Sequence, residues 1–264
     1  MLPFPIPTSN VVKNTAKTII KRNPVFIMMN GLFLLAVFFL TQILFTGILS
    51  QLFEKSILLK ILAFLLLNIM VFWPVCMGAL RSYWVLTEQN EHSLESVFYY
   101  FSNITRYKRA VKTIALLLLK VFLTGVICLI PCFISSLLGN SWIYTALNSD
   151  VPLWAANLQL ITDFLKISGI IVTVGVSLKN YLVPIVAIMD ESLYLMETIH
   201  ISEMISKHSL GSFASLIVSF LGWFFFSLLG IPLIYALPYF LISYVVHCRF
   251  AIVNYNLNLE QVLR

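Results

Sequence analysis

Residues 219–240 read SFLGWFFFSLLGIPLIYALPYF, an apolar and aromatic run interrupted by Gly222, Gly230, Pro232 and Pro238. A helix crossing ~30 Å of hydrocarbon needs about 20 residues. The wider apolar stretch, residues 213–256, has room for two such helices, and Gly230 and Pro232 fall where one would end and the next begin. Pro238 then fits the first turn of the second helix, where its missing N–H costs little. The expectation is a tight hairpin of two membrane spans. Gly222 serves a close helix contact beside the bulk of Trp223, and Tyr235 and Tyr239 sit at the interface.

The rest of the chain has the same character. It is 60 % hydrophobic and only 11 % charged, against about 25 % charged in an ordinary soluble domain. Six spans can be placed, at about 25–49, 58–80, 111–138, 164–188, 213–232 and 236–256. This predicts an all-α, polytopic transmembrane helical bundle: a tail and interfacial helix over 1–24, a six-span domain over 25–256 and a tail over 257–264. The first span is too long for a signal-peptide core and lacks a small-residue cleavage site, so it is read as retained. With both termini inside, the inner segments hold eleven basic residues (Lys13, Lys17, Lys21, Arg22, Arg81, Arg106, Lys108, Arg109, Lys112, Lys207 and Arg264) against Lys55 and Lys60 outside. That bias predicts an N-in, C-in protein of the plasma membrane. It also accounts for the net charge of +6 without nucleic acid as a partner.

The connectors carry the amphipathic signals. After the alternating Pro3, Pro5 and Pro7, the pattern Val11, Val12, Thr15 and Ile19 predicts a helix lying on the membrane surface before Pro24. In the 87–110 connector Leu94, Val97, Phe98, Phe101 and Ile104 recur at helical spacing, predicting an interfacial helix capped by Asn90, with Arg106, Lys108 and Arg109 near phosphates. The outer connector 139–163, with Trp142, Tyr144 and Trp154, predicts a further interfacial element. Cys76, Cys128, Cys132 and Cys248 all fall in spans and are expected as free thiols without a metal. Matching proline-bearing segments around the two large inner connectors admit either a parallel internal duplication or convergent proline placement at span ends.

Charges inside spans are costly, which singles out Lys120, Lys179 and Arg249 as candidate contacts for an anionic ligand or lipid phosphate. Snorkelling is the plain alternative. His247 lies near Arg249 without an acid at similar depth to complete a proton relay. Glu197 and His200 have i, i+3 metal-site spacing, but sit at the wet interface, where capping and salt-bridging roles suffice. No Gly-rich phosphate loop, G-x-S-x-G elbow or H-E-x-x-H occurs in the sequence, so neither an enzyme nor a cofactor is expected.

From Tyr181 onward the chain resembles the domain-of-unknown-function 975 family of uncharacterised bacterial integral membrane proteins. The resemblance is carried by Tyr181, Pro184, Asp190, Ser202, Met204, His208, Ser219-Phe220, Gly222-Trp223, Gly230-Ile231 and Pro238-Tyr239. In the first half it rests on span layout and on PVCMG, residues 74–78, similar to that family's Pro-Leu-x-x-Gly turn. HSLGSF, residues 208–213, departs from the family by lacking basic residues after the histidine. The family is itself distantly similar to the membrane domain of some glycerophosphodiester phosphodiesterases. The resemblance implies the six-span architecture, with Pro184, His208, Gly222, Trp223, Pro238 and Tyr239 as a structural signature. The leading functional expectation is a non-enzymatic accessory or scaffolding component that binds membrane lipids, a membrane-protein partner or a second copy of itself. The alternative is a transporter or channel-like carrier for an anionic or amphipathic solute.

Overall fold

The computed structural model describes residues 7–49, 51, 56–89, 94–138, 153–227, 230 and 232–263. The elements are α1 (Ser9–Arg22), α2 (Pro24–Leu44), α3 (Ile57–Leu67), α4 (Trp73–Gln89), α5 (Ile104–Leu138), α6 (Leu153–Lys179), α7 (Val183–Met189), α8 (Leu195–Ser227) and α9 (Leu233–Leu263). π-helical turns at Phe45–Leu49 and Asn68–Phe72 extend α2 and join α3 to α4, and a 3-10 helix, Leu94–Phe101, precedes α5. Among the described residues there is no strand. Among the described residues six stretches are long and apolar enough to cross a membrane: Pro24–Leu49, Ile57–Glu88, Ile104–Leu137, Ile161–Met189, Leu195–Ser227 and Leu233–Asn256. The chain is an all-α, multi-pass membrane protein.

Local chemistry explains where the helices start and stop. Pro24 opens α2 at a position where a missing N–H goes unnoticed. Ser56 caps α3 by accepting from Leu59 N at 3.4 Å, and Asn103 caps α5 by accepting from Thr105 N at 2.9 Å. At the head of α8 the Glu197 carboxylate reaches back to Tyr194 N at 3.1 Å, the return half of a capping box. The supposed counterpart connectors therefore differ: one forms a separate 3-10 helix, the other the first turns of α8. The predicted cap Asn90, and Trp142 and Tyr144 of the outer connector, lie outside the described residues.

The hairpin of the opening stretch departs from expectation at Pro238, Gly222 and Tyr239. Gly230 adopts φ +83°, a left-handed conformation suited to glycine, and accepts from Leu233 N at 3.1 Å. The carbonyl of Pro232 accepts from Ala236 N at 2.8 Å, so Pro232 starts α9 and Pro238 falls past its first turn. Gly222 has nothing within 4 Å of a would-be Cβ, which corrects its expected role as a close contact. That role belongs to Gly31, where a Cβ would lie 3.0 Å from the Pro238 ring. Tyr239 is buried, its ring edge-on to Phe220 with centroids 4.9 Å apart.

Two compact units make up the chain: Met1–Ala115 with Tyr181–Arg264, and Leu116–Asn180. In the larger, α9 runs through the centre, with Ala236, Ile242, Val245, His247, Cys248 and Ala251 all buried. A helix covered on all sides in this way is a core helix. Around it α2 exposes Leu32, Phe39, Leu40 and Ile43, as a lipid-facing helix does, and turns Ile27, Asn30, Gly31 and Leu34 inward. One face of α1 packs into the unit: Val12, Ala16 and Ile20 are buried, and α1 packs on α8 and α9. Lys13 Nζ donates to the Ser219 carbonyl at 2.7 Å and lies 4.5 Å from the centroid of the Phe220 ring.

Within the smaller unit α5 and α6 approach closely at Gly169, where a Cβ would lie 2.9 Å from the Cys128 carbonyl oxygen. Ser135 and Thr162 share a 2.7 Å hydrogen bond between the same helices. Phe122, Ile127, Phe133, Phe164 and Ile171 are exposed, the composition of a face made for lipid.

Candidate functional site

A cluster of charged side chains belongs to the larger unit. Arg81 comes from α4, Tyr99 from the 3-10 helix, Arg106 and Arg109 from α5, and Asp190 and Glu191 from the turn before α8. Burial along the 3-10 helix repeats every third residue: Val97 and Tyr100 are buried, Ser96 and Tyr99 half-buried, and Glu95, Phe98 and Phe101 exposed. A helix of three residues per turn stacks i on i+3, which produces this division. One row is pinned to α4, since Val97 lies over Gly78 so closely that a Cβ on residue 78 would collide with the Val97 carbonyl.

The half-buried Tyr99 ring carries both guanidiniums, with Arg81 Cζ 3.6 Å and Arg106 Cζ 4.2 Å from its centroid. These are cation–π distances. Glu191 faces the same pair with one oxygen each: Oε1 lies 3.3 Å from Arg81 Nη1 and Oε2 3.9 Å from Arg106 Nε. Burial first, then a hydrogen bond with Glu191, raises the Tyr99 phenol above its ordinary pKa. Arg109 Nη2 donates to the Asp190 carbonyl at 2.7 Å, and its Nε, though buried, has no hydrogen-bond partner among the described residues. Asp190 Oδ1 accepts from Ser192 Oγ at 2.6 Å and Ser192 N at 2.8 Å, and these bonds hold its carboxyl below the usual carboxylate range. The exposed Phe98, Phe101 and Ile104 lie close by in sequence, so cationic groups and apolar side chains occupy one short segment.

A second polar feature of this unit is sealed inside it. Tyr181 Oη lies 2.6 Å from Ser209 Oγ and 3.1 Å from His247 Nε2, while Tyr244 Oη donates to the Tyr181 carbonyl at 2.5 Å. Ser209 Oγ donates to the Ile205 carbonyl at 3.1 Å, which makes it the acceptor for Tyr181. Tyr181 in turn accepts from His247, placing the imidazole proton on Nε2. His247 Nδ1 is then a lone pair without a hydrogen-bond partner among the described residues, on a fully buried side chain. Phe213 stacks on Tyr181 at 3.9 Å with an interplanar angle of 9°. This is a network that registers α8 against α9 and the chain before α7.

The candidate cations are dispersed. Lys120 Nζ donates to Asn180 Oδ1 at 3.1 Å inside the smaller unit, and Lys179 is exposed at the end of α6. Arg249 Nη1 donates to the Thr87 carbonyl near the end of α4, a structural stitch between α9 and α4. Pro184 lies in the first turn of α7, where α6 has already broken at 180–182, and His208 is exposed on α8. What the sequence did not single out is Tyr99 and the sharing of Glu191 by Arg81 and Arg106. The available signal was the period of three in 94–101, which α-helical spacing obscured.

No protein-family model, curated protein or solved structure matches the chain.

Proposed function

We propose that this protein is a non-enzymatic accessory or scaffolding component of the plasma membrane, and that it binds anionic phospholipid at the arginine cluster. The observation that carries this reading is the pair Arg81 and Arg106 held against one ring, that of Tyr99, whose own segment and the start of α5 also expose Phe98, Phe101 and Ile104. Guanidiniums match the oxygens of a phosphate in geometry and charge. Exposed aromatic and aliphatic side chains beside them suit the glycerol and upper acyl chains of the same molecule. Two arginines share the one Glu191 carboxylate, so the pair retains positive charge for a headgroup.

The carrier alternative rests on Lys120 and Lys179. Lys120 already gives its ammonium to Asn180 and Lys179 is exposed, so the reading favours the arginines as the anion contact. Membership of the domain-of-unknown-function 975 family is likewise proposed. It gains a physical rationale at Gly78, which ends the PVCMG segment and leaves the space that Val97 occupies. The test is retention of lipid by the purified full chain offered phosphatidylglycerol and phosphatidylcholine. Preferential retention of phosphatidylglycerol that Arg106→Gln reduces supports the proposal. Equal retention of the two lipids, or displacement by millimolar glycerol phosphate, contradicts it.

A further inference from the structure

We infer that Glu191 is an internal competitor for the phosphate position, so that an anionic headgroup and the 190–194 turn exclude each other at Arg81 and Arg106. The inference rests on the lipid-binding reading above and adds its regulation. A carboxylate spanning two guanidiniums, one oxygen to each, mimics the two non-bridging oxygens of a phosphodiester. Here Glu191 does so loosely, at 3.3 and 3.9 Å, where charge-assisted bonds settle at about 2.7–2.9 Å. The three side chains are 25 % (Arg81), 32 % (Glu191) and 40 % (Arg106) exposed, so a headgroup reaches the pair without unfolding anything.

The turn is built to release this side chain. Asp190 closes the turn with Ser192, and Glu197 bonds Tyr194 N, so neither bond involves the Glu191 carboxylate. Among the described residues, the links broken by moving Glu191 away are those to Arg81, Arg106 and Tyr99. Because the turn joins α7 to α8, displacement of Glu191 passes occupancy of the arginine pair to the start of α8. Arg109, bonded to the Asp190 carbonyl, holds the adjacent backbone while the acid leaves.

The experiment measures equilibrium binding of a fluorescent phosphatidylglycerol to the detergent-purified full chain, for wild type, Glu191→Gln, Glu191→Asp and Arg106→Gln. A partly exposed bridge of this kind weighs on an equilibrium by up to about fivefold. Glu191→Gln should therefore tighten binding about three- to fivefold, and Glu191→Asp, which is one methylene too short to span the pair, should tighten it in the same direction. Arg106→Gln should weaken it. Amide exchange at 191–194 should accelerate when the lipid binds wild type and stay unchanged in Glu191→Gln. Weakening by Arg106→Gln with no change in either Glu191 variant overturns the competition and leaves the lipid site standing. No change in any variant overturns both.

Discussion

Val97 sits on Gly78: the carbonyl oxygen of Val97 fills the space where a side chain on residue 78 would begin. That contact fixes the 3-10 helix to α4, and through it the Tyr99 ring against Arg81 and Arg106. Overpacking a site that cannot yield costs about 1–3 kcal/mol. Gly78→Ala should lower thermal stability by that order and loosen the arginine pair, read as accelerated amide exchange across 95–101. A variant as stable and as protected as wild type would show that the contact is not what holds the segment.

The buried relay from His247 through Tyr181 and Ser209 to the Ile205 carbonyl makes a sharper prediction about polar satisfaction. Tyr181→Phe keeps the stacking on Phe213 but leaves the buried His247 Nε2–H without its acceptor, a loss of about 1–3 kcal/mol. Ser209→Ala, at the end of the relay, should cost less. Thermal denaturation in a fixed detergent orders the two, and the reverse order would contradict the assigned direction of donation.

Gly230 is held at φ +83°, where a Cβ costs about 1–2 kcal/mol. Its neighbourhood is open, with nothing within 4 Å of the missing Cβ, so the conformation alone sets the penalty. Gly230→Ala should destabilise by that amount and Gly230→Asn by less, because asparagine tolerates left-handed backbone better.

Asp190 supplies a pH signature. Its bonds to Ser192 depress the folded pKa, so the unfolded chain takes up protons first. The stability it adds is present above the unfolded aspartate range, about 3.9, and is lost as pH falls through the lower folded value. Carboxyl NMR should place its midpoint below that of an unfolded aspartate, and Ser192→Ala should move it upward. A midpoint insensitive to Ser192 would contradict the turn's bonding.

The membrane architecture was legible because apolar length and charge scarcity are properties of windows, and windows survive local error. Helix ends were less so. Pro238 looks like an N-terminal proline, but the carbonyl of Pro232 had already begun α9, and only the hydrogen bonds distinguish the two. The face of α1 was displaced by one residue, from Val11 and Ile19 toward Ala16 and Ile20, because both Thr15 and Ala16 fit a helical stripe and packing on α8 and α9 selected the smaller. At the candidate site Val97, Phe98 and Phe101 were noticed as one apolar face, whereas a 3-10 helix divides them between a buried and an exposed row. Glu191 could not be paired with Arg81 from sequence, as 110 positions separate them and no local periodicity links them.

Lipid retention by the arginine pair bears on the central claim most directly. Native mass spectrometry of the full chain, equilibrated with equal amounts of phosphatidylglycerol and phosphatidylcholine, should find phosphatidylglycerol bound in preference. Arg81→Gln together with Arg106→Gln should abolish that preference, while Lys120→Gln leaves it unchanged. Undiminished preference in the double arginine variant, or its loss in Lys120→Gln instead, would contradict the account.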